Sequence, residues 1–150
     1  MLKTHGICKS EIQFLKPNLT TKLSIPLFLS PVQAGFPSPA DDYIEDSLDL
    51  NKHLIKKPAA TFMVKAKGDS MIGAGIEPND LLIIDRSITP KHKSIVVAML
   101  NGSFTVKRLI KKNGNTFLRP ENPKYKEIKI EIEHDFEIFG VVAHVIKSYR

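Results

Sequence analysis

Two Asn-Gly dipeptides, Asn101-Gly102 and Asn113-Gly114, sit between apolar runs and divide the stretch from Ser94 to Arg119 into three pieces. Both residue types tolerate the positive φ that a two-residue hairpin loop demands, so "SIVVAML", "SFTVKRLIKK" and "NTFLRP" are expected as consecutive antiparallel strands. The neighbouring segments agree. In "TFMVKAKG" Phe62, Val64 and Ala66 alternate with polar or lysine neighbours, which suits a half-buried strand. "DLLIIDRS" is a short continuous apolar run entered through the turn-like "EPND". "EIKIEIEHDFEIFGVVAHVIKSYR" predicts one alternating strand and a final apolar one. Six or seven short strands with little helix make residues 60–150 a mainly β domain, twisted and partly closed.

Upstream the pattern changes twice. Residues 1–34 are dotted with lysines and contain the apolar patch "IPLFL" (Ile25–Leu29), which includes Pro26 and is followed by Pro31; they read as a flexible N-terminal arm. Residues 35–59 read as a linker. Within them "ADDYIEDSLDLNKHLI" is acidic and loosely amphipathic, and Ile44, Leu48 and Leu54 fit one face of a short helix or an irregular segment packed on a core. Between the two lies "SPVQAGFPSPADD", rich in proline and centred on the small pair Ala34-Gly35.

The chain has 150 residues and a formal charge of +6, and half of that excess comes from Lys3, Lys9, Lys16 and Lys22 against Glu11. A basic arm can touch an acidic partner or simply be solvated. No aromatic and arginine series suggests a nucleic-acid groove. No apolar run approaches the roughly 20 residues needed to span a bilayer, and the start lacks a compact signal-peptide core, so no membrane and a cytoplasmic location are expected. The single Cys8 excludes an intramolecular disulfide and lies in a polar segment. His5, His53, His92, His134 and His144 are scattered without zinc spacing, and neither metal nor cofactor is expected.

Chemistry is best sought in "KGDSMIGAGI". Ser70 follows Gly68 and Asp69 where a strand should end, and a glycine turn can aim successive N–H groups at one point, as an oxyanion hole requires. Gly-Asp-Ser also occurs in ordinary turns, because Asp and Ser bond their own backbone. A nucleophilic serine needs a base. No histidine has a triad signature, which leaves Lys107, mid-strand in "SFTVKRLI" with Thr105 and Leu109 as neighbours on its strand face. Most strand lysines face solvent. One held among apolar groups loses its proton more readily and can serve a serine. The spacing alone does not bring Ser70 to Lys107.

Taken together, "KGDSM", the later lysine of "FTVKRL", the segment "AGFPSPADDYIEDSLDLNKHLI" and the last strand "FGVVAHVIK" resemble the self-cleaving peptidase family S24, which includes the LexA repressor and UmuD-type mutagenesis proteins. The likeness runs from about Ile25 to the C-terminus. It implies a fold like the LexA C-terminal domain, Ser70 as nucleophile, Lys107 as general base and the N–H groups of Asp69 and Ser70 as the oxyanion hole. It implies Ala34-Gly35 as the scissile bond, with Ala where UmuD-type proteins can have Cys.

The segment ahead of that bond is too short for a three-helix DNA-reading head, and Pro17, Pro26 and Pro31 would interrupt one, so the UmuD-type branch is expected over a LexA-like repressor. That branch implies a homodimer whose self-cleavage in the SOS response is stimulated by RecA on single-stranded DNA. The truncated product would join a UmuC-like Y-family subunit as accessory to an error-prone translesion polymerase. "SIPLFLSPV" would then dock on the polymerase sliding clamp or pack on its own domain. The rival readings are a non-catalytic binding module with Ser70 a turn residue and Lys107 at the surface, and a signal-peptidase-like Ser-Lys enzyme, against which the lack of an anchor argues.

Overall fold

The computed structural model describes residues 14–21, 24–28, 34–35 and 44–150. Lys3, His5, Cys8, Lys9, Glu11, Lys22, Pro31, Pro37 and Pro39 lie outside the described residues. The chain forms two compact units, one of residues 1–17 with 57–150 and the other of residues 18–56.

The smaller unit holds an antiparallel pair, β2 (Ser24–Phe28) with β3 (Ile44–Asp49), followed by the short helix α1 (Leu50–Leu54). The helical face expected across Ile44, Leu48 and Leu54 is therefore half strand. Pairing with β2 satisfies the backbone as far as Asp49, whose carboxylate then accepts the N–H of Lys52 at 3.3 Å and starts the helix there.

The larger unit is a single antiparallel sheet in the order β1-β4-β5-β10-β6-β7-β8-β9. Its members are β1 (Phe14–Leu15), β4 (Thr61–Lys65), β5 (Leu81–Asp85), β6 (Ile95–Leu100), β7 (Ser103–Lys112), β8 (Asn115–Arg119), β9 (Ile128–Lys129) and β10 (Phe136–Ile146). The protein is mainly β, as expected. Both Asn-Gly pairs form two-residue hairpin loops with positive φ at each position: 49° and 79° at Asn101 and Gly102, 49° and 74° at Asn113 and Gly114. They set the registers Leu100 to Ser103 and Lys112 to Asn115.

Strand alternation sorts side chains onto two faces. Val97 joins Val64, Leu82, Ile84, Met71 and Ile76 in one buried cluster, and its neighbours Val96 and Ala98 join Leu109, Leu118 and Val141 in another. Both faces of the sheet centre are therefore covered, which is why "LLIID" and "IVVAML" are nearly continuous apolar runs. Burying each of Leu82, Ile83 and Ile84 contributes roughly 1.5–3 kcal/mol.

The last strand, β10, enters the middle of the sheet between β5 and β6. To get there the chain must turn, and this shortens the alternating strand expected in "EIKIEIE" to Ile128–Lys129. Ile130 N–H still reaches the Thr116 carbonyl at 2.9 Å. Beyond it the His134 ring Nδ1 accepts the Glu131 N–H at 3.0 Å, Asn101 N–H bonds the Asp135 carbonyl, and Ile132 is left exposed.

The turn entering β5 is fixed by Asp80, which is buried. Its carboxylate accepts the Glu77 N–H at 2.8 Å and the Lys147 ammonium at 2.7 Å. Burial pushes the carboxyl upward, but the Glu77 N–H and Lys147 outweigh it and hold the group below its ordinary value. A carboxylate depressed in the folded state stabilises above its unfolded pKa, and that stabilisation is lost as pH falls through the folded one. Urea denaturation of Asp80→Asn should thus show lower stability than the native chain at neutral pH, with the gap closing below about pH 4. An equal gap at pH 3 and pH 7 would refute this role for the ion pair.

Candidate active site

Ser70 lies in the connection between β4 and β5. The base of that connection is closed like a hairpin: Ala66 N–H bonds the Asp80 carbonyl at 2.8 Å and Asn79 N–H returns to the Ala66 carbonyl at 2.9 Å. Gly68 turns the chain with φ +79°, and Met71 leads into a short 3-10 turn, Ile72–Ala74. Met71 and Ile76 are buried in the core cluster, so the loop carrying Ser70 is anchored by apolar side chains on its C-terminal side.

Lys107 approaches from β7. Its Nζ lies 2.9 Å from Ser70 Oγ, 2.7 Å from Thr105 Oγ1 and 2.9 Å from the Val106 carbonyl oxygen. The two residues that the spacing left apart are thus brought together. Thr105, its neighbour on the strand face, is the third member of the cluster. Burial of the amine lowers its pKa, and no ion pair among the described residues involves it. Nζ faces three oxygens and donates to each of them; once the amine is neutral it keeps two N–H groups, enough for Thr105 Oγ1 and the Val106 carbonyl, and its lone pair is then free to accept the Ser70 hydroxyl.

A second segment grips the Ser70 loop. Glu121 N–H bonds the Ser70 carbonyl at 2.8 Å, and the Glu121 carbonyl accepts the Gly73 N–H at 2.7 Å. Asn122, buried, donates from Nδ2 to the Asp69 carbonyl at 2.8 Å. Tyr125 donates its hydroxyl to the Asp69 carboxylate, and this bond leads the influences that hold that carboxyl below its ordinary value. The Glu121 side chain pairs with Arg108 on β7, which also donates to the Lys93 carbonyl at 2.8 Å.

Between the two elements is a cleft of about 180 Å³, with Ser70, Lys107 and Thr105 on its polar side and Met71, Phe104 and Val106 among its apolar walls. Beside it, among the described residues, β7 has an edge that no other strand shares. Ser103–Lys107 pair with β6, and pairing with β8 begins only at Arg108.

Ala34 and Gly35 belong to the smaller unit, on the connection between β2 and β3. Both are exposed, and no atom lies within 4 Å of where a Gly35 side chain would begin. The histidines take other parts: His92 Nδ1 accepts the Lys111 N–H at 3.1 Å, and His134 fixes the turn before β10. Among the described residues no three His, Cys, Asp or Glu side chains group as a metal site would, and no helix is long and apolar enough to cross a membrane.

Residues 26–143 match the Peptidase S24-like family. This chain belongs to that family. It is 47% identical over 127 residues to Protein ImpA of Salmonella typhimurium, covering 83% of this chain and 85% of ImpA. It is 40% identical over 122 residues to Protein MucA of Escherichia coli, covering 81% and 83%. The LexA repressor of Clostridium novyi is more distant, at 36% identity over 140 residues, covering 92% of this chain and 68% of the repressor. The S24 match contains Ala34, Gly35, Ser70 and Lys107, and the sequence resemblance to UmuD-like proteins stands on these likenesses.

Reading the sequence missed the grip on the Ser70 loop. Its signal was "RPENPKY", a polar run with two prolines after β8. It looks like any surface loop until Asn122 is seen to be buried.

Proposed function

We propose that this chain is a self-cleaving serine endopeptidase that cuts its own Ala34-Gly35 bond with a Ser70-Lys107 dyad. The observation that carries this is the half-buried amine of Lys107, 2.9 Å from Ser70 Oγ and paired with no carboxylate among the described residues.

The neutral amine takes the hydroxyl proton as Oγ attacks the Ala34 carbonyl carbon. The resulting oxyanion is held by the N–H groups of Asp69 and Ser70. Its collapse breaks the bond to Gly35, whose nitrogen receives the proton back from Lys107. Water, deprotonated by the same amine, then hydrolyses the Ala34 ester and frees Ser70. The open edge of β7 at Ser103–Lys107 can take an extended peptide as an added strand. Prolines at 31, 37 and 39 favour that extended form. The small cleft suits the methyl group of Ala34.

An attached substrate has a high effective concentration, so the reaction needs restraint. We assign that control to a RecA filament on single-stranded DNA, which shifts the population in which the bond is presented during the SOS response. The product beginning at Gly35 serves, as a homodimer, as accessory subunit to a UmuC-like Y-family polymerase in translesion synthesis, and before cleavage "SIPLFLSPV" (24–32) in the arm is a contact for the sliding clamp. The higher identity to ImpA and MucA than to LexA supports this branch over a repressor.

Incubating the purified chain at mildly alkaline pH tests the chemistry. Mass spectrometry should find two fragments, the larger starting at Gly35, and Ser70→Ala should stay whole. If the serine variant is cut equally fast, the dyad is not the catalyst.

A further inference from the structure

The geometry points to Asn122 as the residue that orients the oxyanion hole, an inference that rests on the Ser70-Lys107 reading above. The Asp69 carbonyl and the Ser70 N–H belong to one peptide group. That peptide is trans, so its C=O and N–H point in opposite directions. Whatever holds the carbonyl aims the N–H. Asn122 Nδ2 holds it at 2.8 Å, and the Ile72 N–H is a more distant second donor at 3.4 Å. The Ser70 N–H therefore points away from the Glu121–Tyr125 segment, and it donates to no acceptor among the described residues.

The orientation of the amide itself is determined. Asn122 Oδ1 accepts the Lys124 N–H at 3.1 Å, a contact that only an oxygen can make, so Nδ2 must face the Asp69 carbonyl. Asn122 is only 5% exposed, and its backbone neighbour Glu121 fixes the following peptide through the Ser70 carbonyl. Among the described residues the side chain makes no hydrogen bond to Ser70 Oγ. It is a positioning residue that acts through the peptide it holds.

Asn122→Asp separates this role from general packing. The aspartate keeps the shape and the bond to Lys124 N–H but turns a bare oxygen toward the Asp69 carbonyl, and the peptide should swing. Removing an oxyanion donor costs roughly 10²–10³ in rate in other serine peptidases, and a misaimed donor should cost at least about 10-fold. We expect self-cleavage by the full chain to fall by that factor at mildly alkaline pH; the midpoint of the pH dependence is read from the uncharged Asn122→Ala variant, where it should stay unmoved because Lys107 gains no new charge beside it. Asn122→Ala, which loses the donor without adding charge, should fall less.

A wild-type rate in Asn122→Asp overturns the inference. So does a loss in Asn122→Ala accompanied by a midpoint shifted toward ordinary lysine, which would mean that the base site had loosened. Ser70→Ala run in parallel keeps the two readings apart: cleavage by that variant at the wild-type rate sinks the dyad itself, whereas an intact Ser70→Ala beside a fast Asn122→Asp sinks only the role of Asn122.

Discussion

Lys107→Ala should slow self-cleavage by roughly 10²–10⁴-fold, the range a general base supplies, with the fold intact by circular dichroism. Lys107→Arg should be as inactive, although it keeps the charge and much of the stem. A guanidinium does not give up its proton at any pH the chain survives, so it cannot take one from Ser70. An arginine variant that cleaves well would rule out proton transfer as the task of this position.

The pH dependence follows from the same group. In the proposed mechanism the reactive form is the neutral amine, so the rate should climb with pH and level off below lysine's ordinary 10.5, because burial lowers the pKa. Stability carries the matching signature. Between the lowered folded pKa and the ordinary unfolded one, the unfolded chain binds more protons than the folded chain, so stability rises with pH across that window. Below it, the folded state bears the cost of a charged amine in a partly dry site. Lys107→Met removes the group and with it the rise. Chemical denaturation at several pH values reads this directly, and an unchanged slope in the methionine variant would contradict the burial that activates the base.

Local rules in this chain are legible where a single residue type settles the backbone. The two Asn-Gly pairs fix hairpins because few other dipeptides accept positive φ twice, and the continuous run "LLIID" is a strand buried on both faces. Rules fail where a long-range partner decides. Residues 44–49 look helical by periodicity, yet β2 is there to pair with them. The alternation of "EIKIEIE" is interrupted because the chain must leave its neighbour to become the central strand. The site divides in the same way. Ser70 and Lys107 stand out by their motifs, and the resemblance to a known family supplies their pairing. Asn122 is marked only by the polar, proline-containing run around it, and burial and a carbonyl partner 53 positions away in sequence give it its role.

Gly73→Ala should cut self-cleavage by on the order of 100-fold, the cost of a displacement of about 1 Å at a reacting group. A Cβ built on Gly73 meets the Glu121 carbonyl oxygen at 2.5 Å, closer than real Cβ contacts come, and the atom it meets is backbone, which cannot rotate aside. That same carbonyl accepts the Gly73 N–H, so relief of the clash breaks the bond that ties the Ser70 loop to Glu121. The overpacking should also lower stability by about 1–3 kcal/mol. Gly68 is the useful contrast, because nothing lies within 4 Å of its missing side chain but its φ is +79°. Gly68→Ala carries only the left-handed backbone cost of about 1–2 kcal/mol, and the Glu121 grip on the loop survives it. The two variants should therefore resemble each other in melting temperature and differ in cleavage rate, with Gly73→Ala much the slower. Equal rates would mean that the Glu121 contact supports the fold without placing the nucleophile.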